Sequence, residues 1–446
     1  MECRRLLEGS QMVKGVRLSR WSMSYFMVAV VSLILAEGIW ATGLANPIAD
    51  VGSAWVLVGV HLTTIGFLTL MMLGALHQFV PVLTETELAS QKWSGVTFFS
   101  MSLGLLGMIM GFLALPSTIA GGTLPEISWM LPAGGASVVA GVVVALLNLG
   151  VTLKRSWPWE LPAWLVATGL AFLLLTVLAG LTFALAFAYP GLFPPTWRIA
   201  LAGGGLISHI IGGVGGWLTL TAMGVSYKLL AMFTLSNEHR GVLGRIAYIG
   251  TALGIFVAWL SYWVGATVGA RAAWILILVG LAAYLGDMRL LYRQRKRRQL
   301  ELNARYGAIP LGFLAGLIVA AAIARLSGSL ERIDLPLTFW ALYGWLGGLA
   351  LTQIYKIIPF LTWIDQFGSR MGKGRTPRVQ DLVDERRDRY AYLVYFVAVI
   401  LASVFLYLGW GLDFRIALGA MSIATLDIAR ALYRAAHPQL SQESTS

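Results

Sequence analysis

One helical phrase is written three times in this chain. Gly66-Phe67-Leu68, Gly74, His77-Gln78, Pro81 and Thr84 are matched by Gly216-Trp217-Leu218, Gly224, Tyr227-Lys228, Ala231 and Thr234, and again by Gly344-Trp345-Leu346, Thr352, Tyr355-Lys356, Pro359 and Thr362. The copies align without gaps, at offsets of 150 residues (227 minus 77) and 128 residues (355 minus 227). A fixed internal repeat means that one structural unit recurs along the chain.

Hydropathy identifies the unit. The 446 residues are 58% hydrophobic and only 12% charged, with mean hydropathy +0.75, which excludes a soluble globule with an ordinary polar surface. Apolar windows long enough to cross a bilayer core, about 20 residues, number twelve. They lie near 22–45, 53–82, 95–115, 128–150, 161–189, 198–231, 244–266, 271–291, 308–326, 335–362, 390–409 and 412–434. The sequence predicts an all-α integral membrane protein, a twelve-helix transmembrane bundle with a pseudo-threefold repeat of four-helix units at about 22–150, 161–291 and 308–434. Polar tails, 1–21 and 435–446, flank this membrane domain of 22–434, and the second helix of each unit carries the phrase. Leu290–Arg298 is expected to extend the eighth helix past the membrane.

The net charge of +12 reads as topology. Placing the N-terminus in the cytoplasm puts 28 of the 33 Lys and Arg on the inner side, all but Arg198, Arg271, Arg325, Arg332 and Arg415. This predicts a multi-pass protein of the cytoplasmic (inner) membrane with both termini cytoplasmic, the lipid bilayer as its partner, and no role in nucleic-acid binding. The runs Arg289–Arg298 and Arg370–Arg389 read as anchors beside anionic lipid. The single cysteine, Cys3, rules out disulfides, thiolate clusters and covalent c-type haem attachment. Met1–Arg20 is charged and the first apolar stretch is long enough to span, so no cleavable signal is expected.

Ionisable groups within spans are costly and therefore candidates for function. His61 and His77 lie on the second helix, His209 on the sixth. His61 and His77 are 16 residues apart, about 24 Å along a helix, too far to share one ion. His61 and His209 both lie in the outer third of their helices, where a shared site is geometrically open to them. Neutral imidazoles at that depth suit haem iron or copper; the competing reading pairs each ring with a neighbouring hydroxyl, Thr63 or Thr64 for His61 and Ser208 for His209. His77 is a candidate proton-relay member. Glu37, at the depth of His61, either supports a ligating imidazole, lines a proton path or makes a polar packing contact. Asp427 has Arg430 one turn on and reads as its ion-pair partner. Tyr227-Lys228 and Tyr355-Lys356 are paired by the repeat, the lysines snorkelling or lining an inner vestibule. The phrase glycines permit close approach by a helix or a flat ligand. Gly212–Gly216 is not a phosphate loop, since it lies inside an apolar span without a lysine.

Twelve spans, the repeat, and the phrases His61-Leu62-Thr63-Thr64-Ile65-Gly66-Phe67 and Gly224-Val225-Ser226-Tyr227-Lys228-Leu229-Leu230 resemble the haem-copper oxidase subunit I superfamily, cytochrome c oxidase subunit I and above all its divergent, NnrS-like branches. The resemblance implies that His61 ligates a low-spin haem b, that His209 lies on the helix where the family places a copper ligand, and that Arg415, where the last two spans join, meets haem propionates. It also has gaps. The repeat carries His61 onto Phe339, preceded by Leu337, where the family has ligating histidines, and onto Ile211 rather than His209. The seventh span lacks the copper-binding histidine pair. A terminal oxidase made by this chain alone is therefore not expected, and no catalytic residue or enzymatic activity is assigned. The expected function is a haem-binding, alternatively copper-binding, membrane protein engaged in electron transfer or in handling nitric oxide or another haem ligand, partnered by a respiratory redox protein or complex subunits. The alternative is a transporter, or an assembly or structural subunit of a respiratory complex, that lost the metal sites.

Overall fold

A computed structural model describes residues 21–115, 127–237, 241–370 and 376–438, the side chains of 330–332 and 369 excepted. Cys3, the N-terminal tail, His239 and most of the C-terminal tail lie outside the described residues. Twelve helices are long and apolar enough to cross a membrane: α1 (Ser22–Thr42), α2 (Ala54–Thr84), α3 (Gln91–Ala114), α4 (Met130–Lys154), α5 (Leu161–Ala188), α6 (Pro195–Thr234), α7 (Val242–Val264), α8 (Thr267–Arg293), α9 (Leu302–Ser327), α10 (Ile333–Phe367), α11 (Glu385–Leu408) and α12 (Gly411–Ala436). No strand occurs among the described residues. Hydrocarbon offers the backbone no hydrogen-bond partner, so an apolar segment of this length must satisfy its own amides as helix.

Helix ends follow polar chemistry more than hydropathy. Ser53 and Ser90 cap α2 and α3 by accepting the Val56 and Trp93 amides, and Asp384 accepts the Arg387 amide to open α11 ahead of its apolar run. The expected extension of α8 to Arg298 is corrected: the helix ends at Arg293, and the Arg297 amide donates to the Thr234 carbonyl at 3.3 Å, turning the chain back on α6.

The helices group into two compact units that do not coincide with the three sequence repeats. One holds the chain through Ala36 with Ala45–Arg298; the other holds Glu37–Leu44 with the chain from Gln299 onward. Within the first, repeats one and two are joined by the Trp217 indole, which donates to the Thr69 hydroxyl at 2.9 Å.

The repeat itself is a local geometry. α2, α6 and α10 each depart from α-helix into a π segment, at Leu62–Thr69, Ile211–Thr219 and Trp340–Gly347. The offsets 150 and 128 carry 62–69 and 340–347 onto 212–219. Each phrase glycine lies inside its π segment and touches the first helix of its own repeat: a methyl group at Gly66, Gly216 or Gly344 would sit 2.6 Å from Ser32 Cβ, 2.3 Å from Phe172 Cγ or 2.4 Å from Phe313 Cδ1. These glycines serve helix contact, the first of the two roles expected of them.

The phrase threonine ends the helix in two copies. Thr84 and Thr234 donate back to the Val80 and Leu230 carbonyls and meet the Thr86 and Ser236 hydroxyls at 2.8 and 2.9 Å. The next residues, Glu85 and Leu235, take left-handed backbone at φ 52° and 54°, a conformation that side chains normally avoid. In the third copy the position equivalent to Thr86 and Ser236 is Ile364, which has no hydroxyl, and α10 runs on to Phe367.

Candidate functional site

His61 and His209 both lie in the first unit. His61 immediately precedes the π segment of α2; its Nδ1 is 2.7 Å from the Leu57 carbonyl one turn back, and its ring packs on Phe112 of α3 at 4.8 Å between centroids. His209 lies on α6 between two π segments, and its Nδ1 reaches across to the Thr176 carbonyl of α5 at 3.1 Å. A neutral imidazole bound to a carbonyl through Nδ1 carries its proton there, which leaves the Nε2 lone pair for a ligand. Neither Nε2 has a hydrogen bond within the described protein, and both side chains are only half-buried.

The hydroxyl pairings weighed for these rings are not formed. Thr63 and Thr64 donate to the Gly59 and Val60 carbonyls of their own helix, and Ser208 donates to Trp259 O. Among the described residues no group of three or more His, Cys, Asp or Glu side chains converges.

The remaining candidates fall elsewhere. His77 is 1% exposed, back-bonded to the Leu73 carbonyl at 2.7 Å and packed on Tyr25, with Nε2 buried and unpartnered. Glu37, fully buried, accepts from Thr425 of α12 at 2.9 Å, the polar packing contact among the three roles weighed for it. The Asp427–Arg430 ion pair is present at 2.8 Å, both side chains exposed. Arg415 sits in the second turn of α12, and its guanidinium donates to the Ala41 and Thr42 carbonyls at 3.3 and 2.7 Å, closing the end of α1 over Gly43. Two of the five guanidinium donors are thus used on helix carbonyls. Arg415→Ala should therefore lower stability by about 1 kcal/mol, which thermal unfolding checks; an unchanged midpoint would show that these two contacts hold nothing.

The Tyr-Lys pairs of the repeat lead to carboxylates that sequence reading passed over. Tyr227 donates to Asp287 of α8 at 3.0 Å, and Tyr355 donates to Asp388 of α11 at 2.7 Å. Asp388 also holds Arg434 at 3.1 Å. Lys228 is half-buried on α6, whereas Lys356 forms an ion pair with Glu301. The signal available in sequence was position: Asp287 is the acidic residue at the end of an otherwise apolar span, and Asp388 opens the next-to-last one.

Tyr355 and Lys356 line a pocket in the second unit, together with Glu301, Asn303, Gln380 and Glu385. Its rim on the Val379–Leu382 turn is fixed by Arg378. The Arg378 backbone amide, seconded by its guanidinium, donates to Asp381 and holds that carboxyl below the usual carboxylate range.

No protein-family model and no curated protein matches the chain.

Proposed function

We propose that this chain is a haem b-binding protein of the cytoplasmic membrane, built on a haem-copper oxidase subunit I-like scaffold, with His61 and His209 of the first unit as the axial candidates. One observation carries the reading: two half-buried imidazoles on different helices of the first unit are each tethered to a carbonyl through Nδ1, and each has its Nε2 uncommitted. Carbonyl tethers fix the ring plane and the tautomer before any ligand arrives, which lowers the entropy lost on binding. Bound haem supplies a one-electron couple, and an iron able to take a diatomic ligand if one axial position stays open. The chain's share is to orient the two rings and to surround them with apolar side chains such as Phe112 and Phe183. The excess of Lys and Arg on one side supports a cytoplasmic N-terminus.

The test is a reduced-minus-oxidised absorption spectrum with a pyridine haemochrome assay on detergent-purified protein made with ample haem. A b-type spectrum is expected in wild type and should be lost in His61→Ala. His209→Ala should either lose it too or convert the spectrum to five-coordinate, high-spin haem. A colourless wild type overturns the proposal, as does a spectrum that both variants keep unchanged.

A further inference from the structure

The pocket of the second unit is built around polar groups left without protein partners. Asn303 is 1% exposed, and neither its amide oxygen nor its amide nitrogen makes a hydrogen bond. A buried amide abandoned in this way is costly to leave unmet, so something outside the chain is expected to meet it. Glu385 faces the same space. Its Oε1 accepts the Leu302 amide at 3.0 Å, and among the described residues no cation pairs with its carboxylate, whereas the Glu301 carboxylate is answered by Lys356. Tyr355 gives its proton to Asp388, so its phenol oxygen is presented to the pocket as an acceptor.

We propose that this pocket binds one small monovalent cation of sodium's size, coordinated by the Asn303 amide oxygen and the Glu385 carboxylate, with the Tyr355 oxygen in support. Charge selects the sign, since an anion would meet an uncompensated carboxylate. Size selects the occupant: the space open to the centre of a water-sized particle is about 10 Å³, room for roughly one such particle and too little for an organic ion. Oxygen donors without thiolate or imidazole suit a hard cation. Closure of the site depends on α11, because the same Glu385 that faces the cation holds the Leu302 amide at the start of α9. Cation binding would thus tie two helices together, independently of any haem in the first unit.

The experiment is thermal unfolding of the full-length protein in detergent, with NaCl, KCl or choline chloride at constant ionic strength. Sodium should raise the midpoint by several degrees over choline, with saturation, and potassium should do less. Asn303→Leu and, as a charge-only variant that keeps the Leu302 contact, Glu385→Gln should each raise the half-saturating sodium concentration tenfold or more. Equal midpoints in all three salts would mean that a buried water fills the pocket and would overturn the proposal. A sodium effect that survives unchanged in both variants would place it elsewhere and overturn it equally.

Discussion

Gly216→Leu is expected to abolish the yield of monodisperse, detergent-solubilised protein, and Gly216→Ala to lower the unfolding midpoint clearly. A methyl group there meets Phe172 at Cγ (2.3 Å) and Cβ (2.6 Å), the fixed root of a ring that is 4% exposed and packed in the core. Neither the ring nor the backbone has free volume to retreat into. Alanine gains back at most about 1 kcal/mol of helix propensity, against about 1–3 kcal/mol for overpacking; leucine adds three further carbons to the same clash. Gly344→Leu should behave likewise, with Phe313 at 2.4 Å, while Gly66→Ala meets the smaller Ser32 and should cost less. Gly38 is the control, since nothing lies within 4 Å of its missing Cβ and alanine there should be neutral or stabilising. Shrinking the obstacle in the Gly216→Ala, Phe172→Ala double variant should recover part of the loss of the glycine change. Normal yield and stability of Gly216→Leu would show that these glycines are not close-contact positions.

That repeat was open to sequence reading because it combines two strong filters. A bilayer admits only helices of a certain length and apolarity, so the twelve spans stood out from composition alone, and a gapless phrase marks equivalent helices whatever the rest of the unit does. The geometry within the phrase was closed to it. A π segment has no composition of its own, and nothing in Leu62–Thr69 distinguishes it from an α-helical run. The left-handed residues Glu85 and Leu235 were hidden because each depends on a pair of hydroxyls two residues apart, Thr84 with Thr86 and Thr234 with Ser236.

The candidate site was legible to a similar half. Burial cost picked out His61 and His209 from residue type and depth, and both lie in the first unit. The two-residue shift from the repeat position is about 200° of helix rotation, and it is answered by a partner no register predicts, the Thr176 carbonyl on α5. Arg415 was assigned by analogy of place, and the structure adds a contact that analogy did not carry: two of its five donors reach the end of α1. Asn303 and Glu301 read as ordinary loop residues because their surroundings are assembled by Glu385, which is 82 positions beyond Asn303. Local sequence carries no trace of such closure.

Asp388 offers the second large effect, with a built-in separation of two interactions. Asp388→Leu should destabilise the protein by about 1–3 kcal/mol, chiefly because the Tyr355 hydroxyl, on a side chain 2% exposed, is left without its acceptor. Loss of the Arg434 partner adds little, since that guanidinium is 46% exposed and returns to solvent or lipid headgroups. Asp388→Asn keeps an oxygen for Tyr355 and removes only the ion pair, so its cost should stay within about 1 kcal/mol. Tyr355→Phe in the Asp388→Leu background should then recover much of that loss, because it removes the hydroxyl that Asp388→Leu leaves unmet. Unfolding of wild type, Asp388→Asn, Asp388→Leu, Tyr355→Phe and the double variant, five proteins under one set of conditions, gives the coupling. If Asp388→Asn proves as damaging as Asp388→Leu, the ion pair and not the buried hydroxyl is what Asp388 is there to hold, and α11 is anchored to α12 rather than to α10.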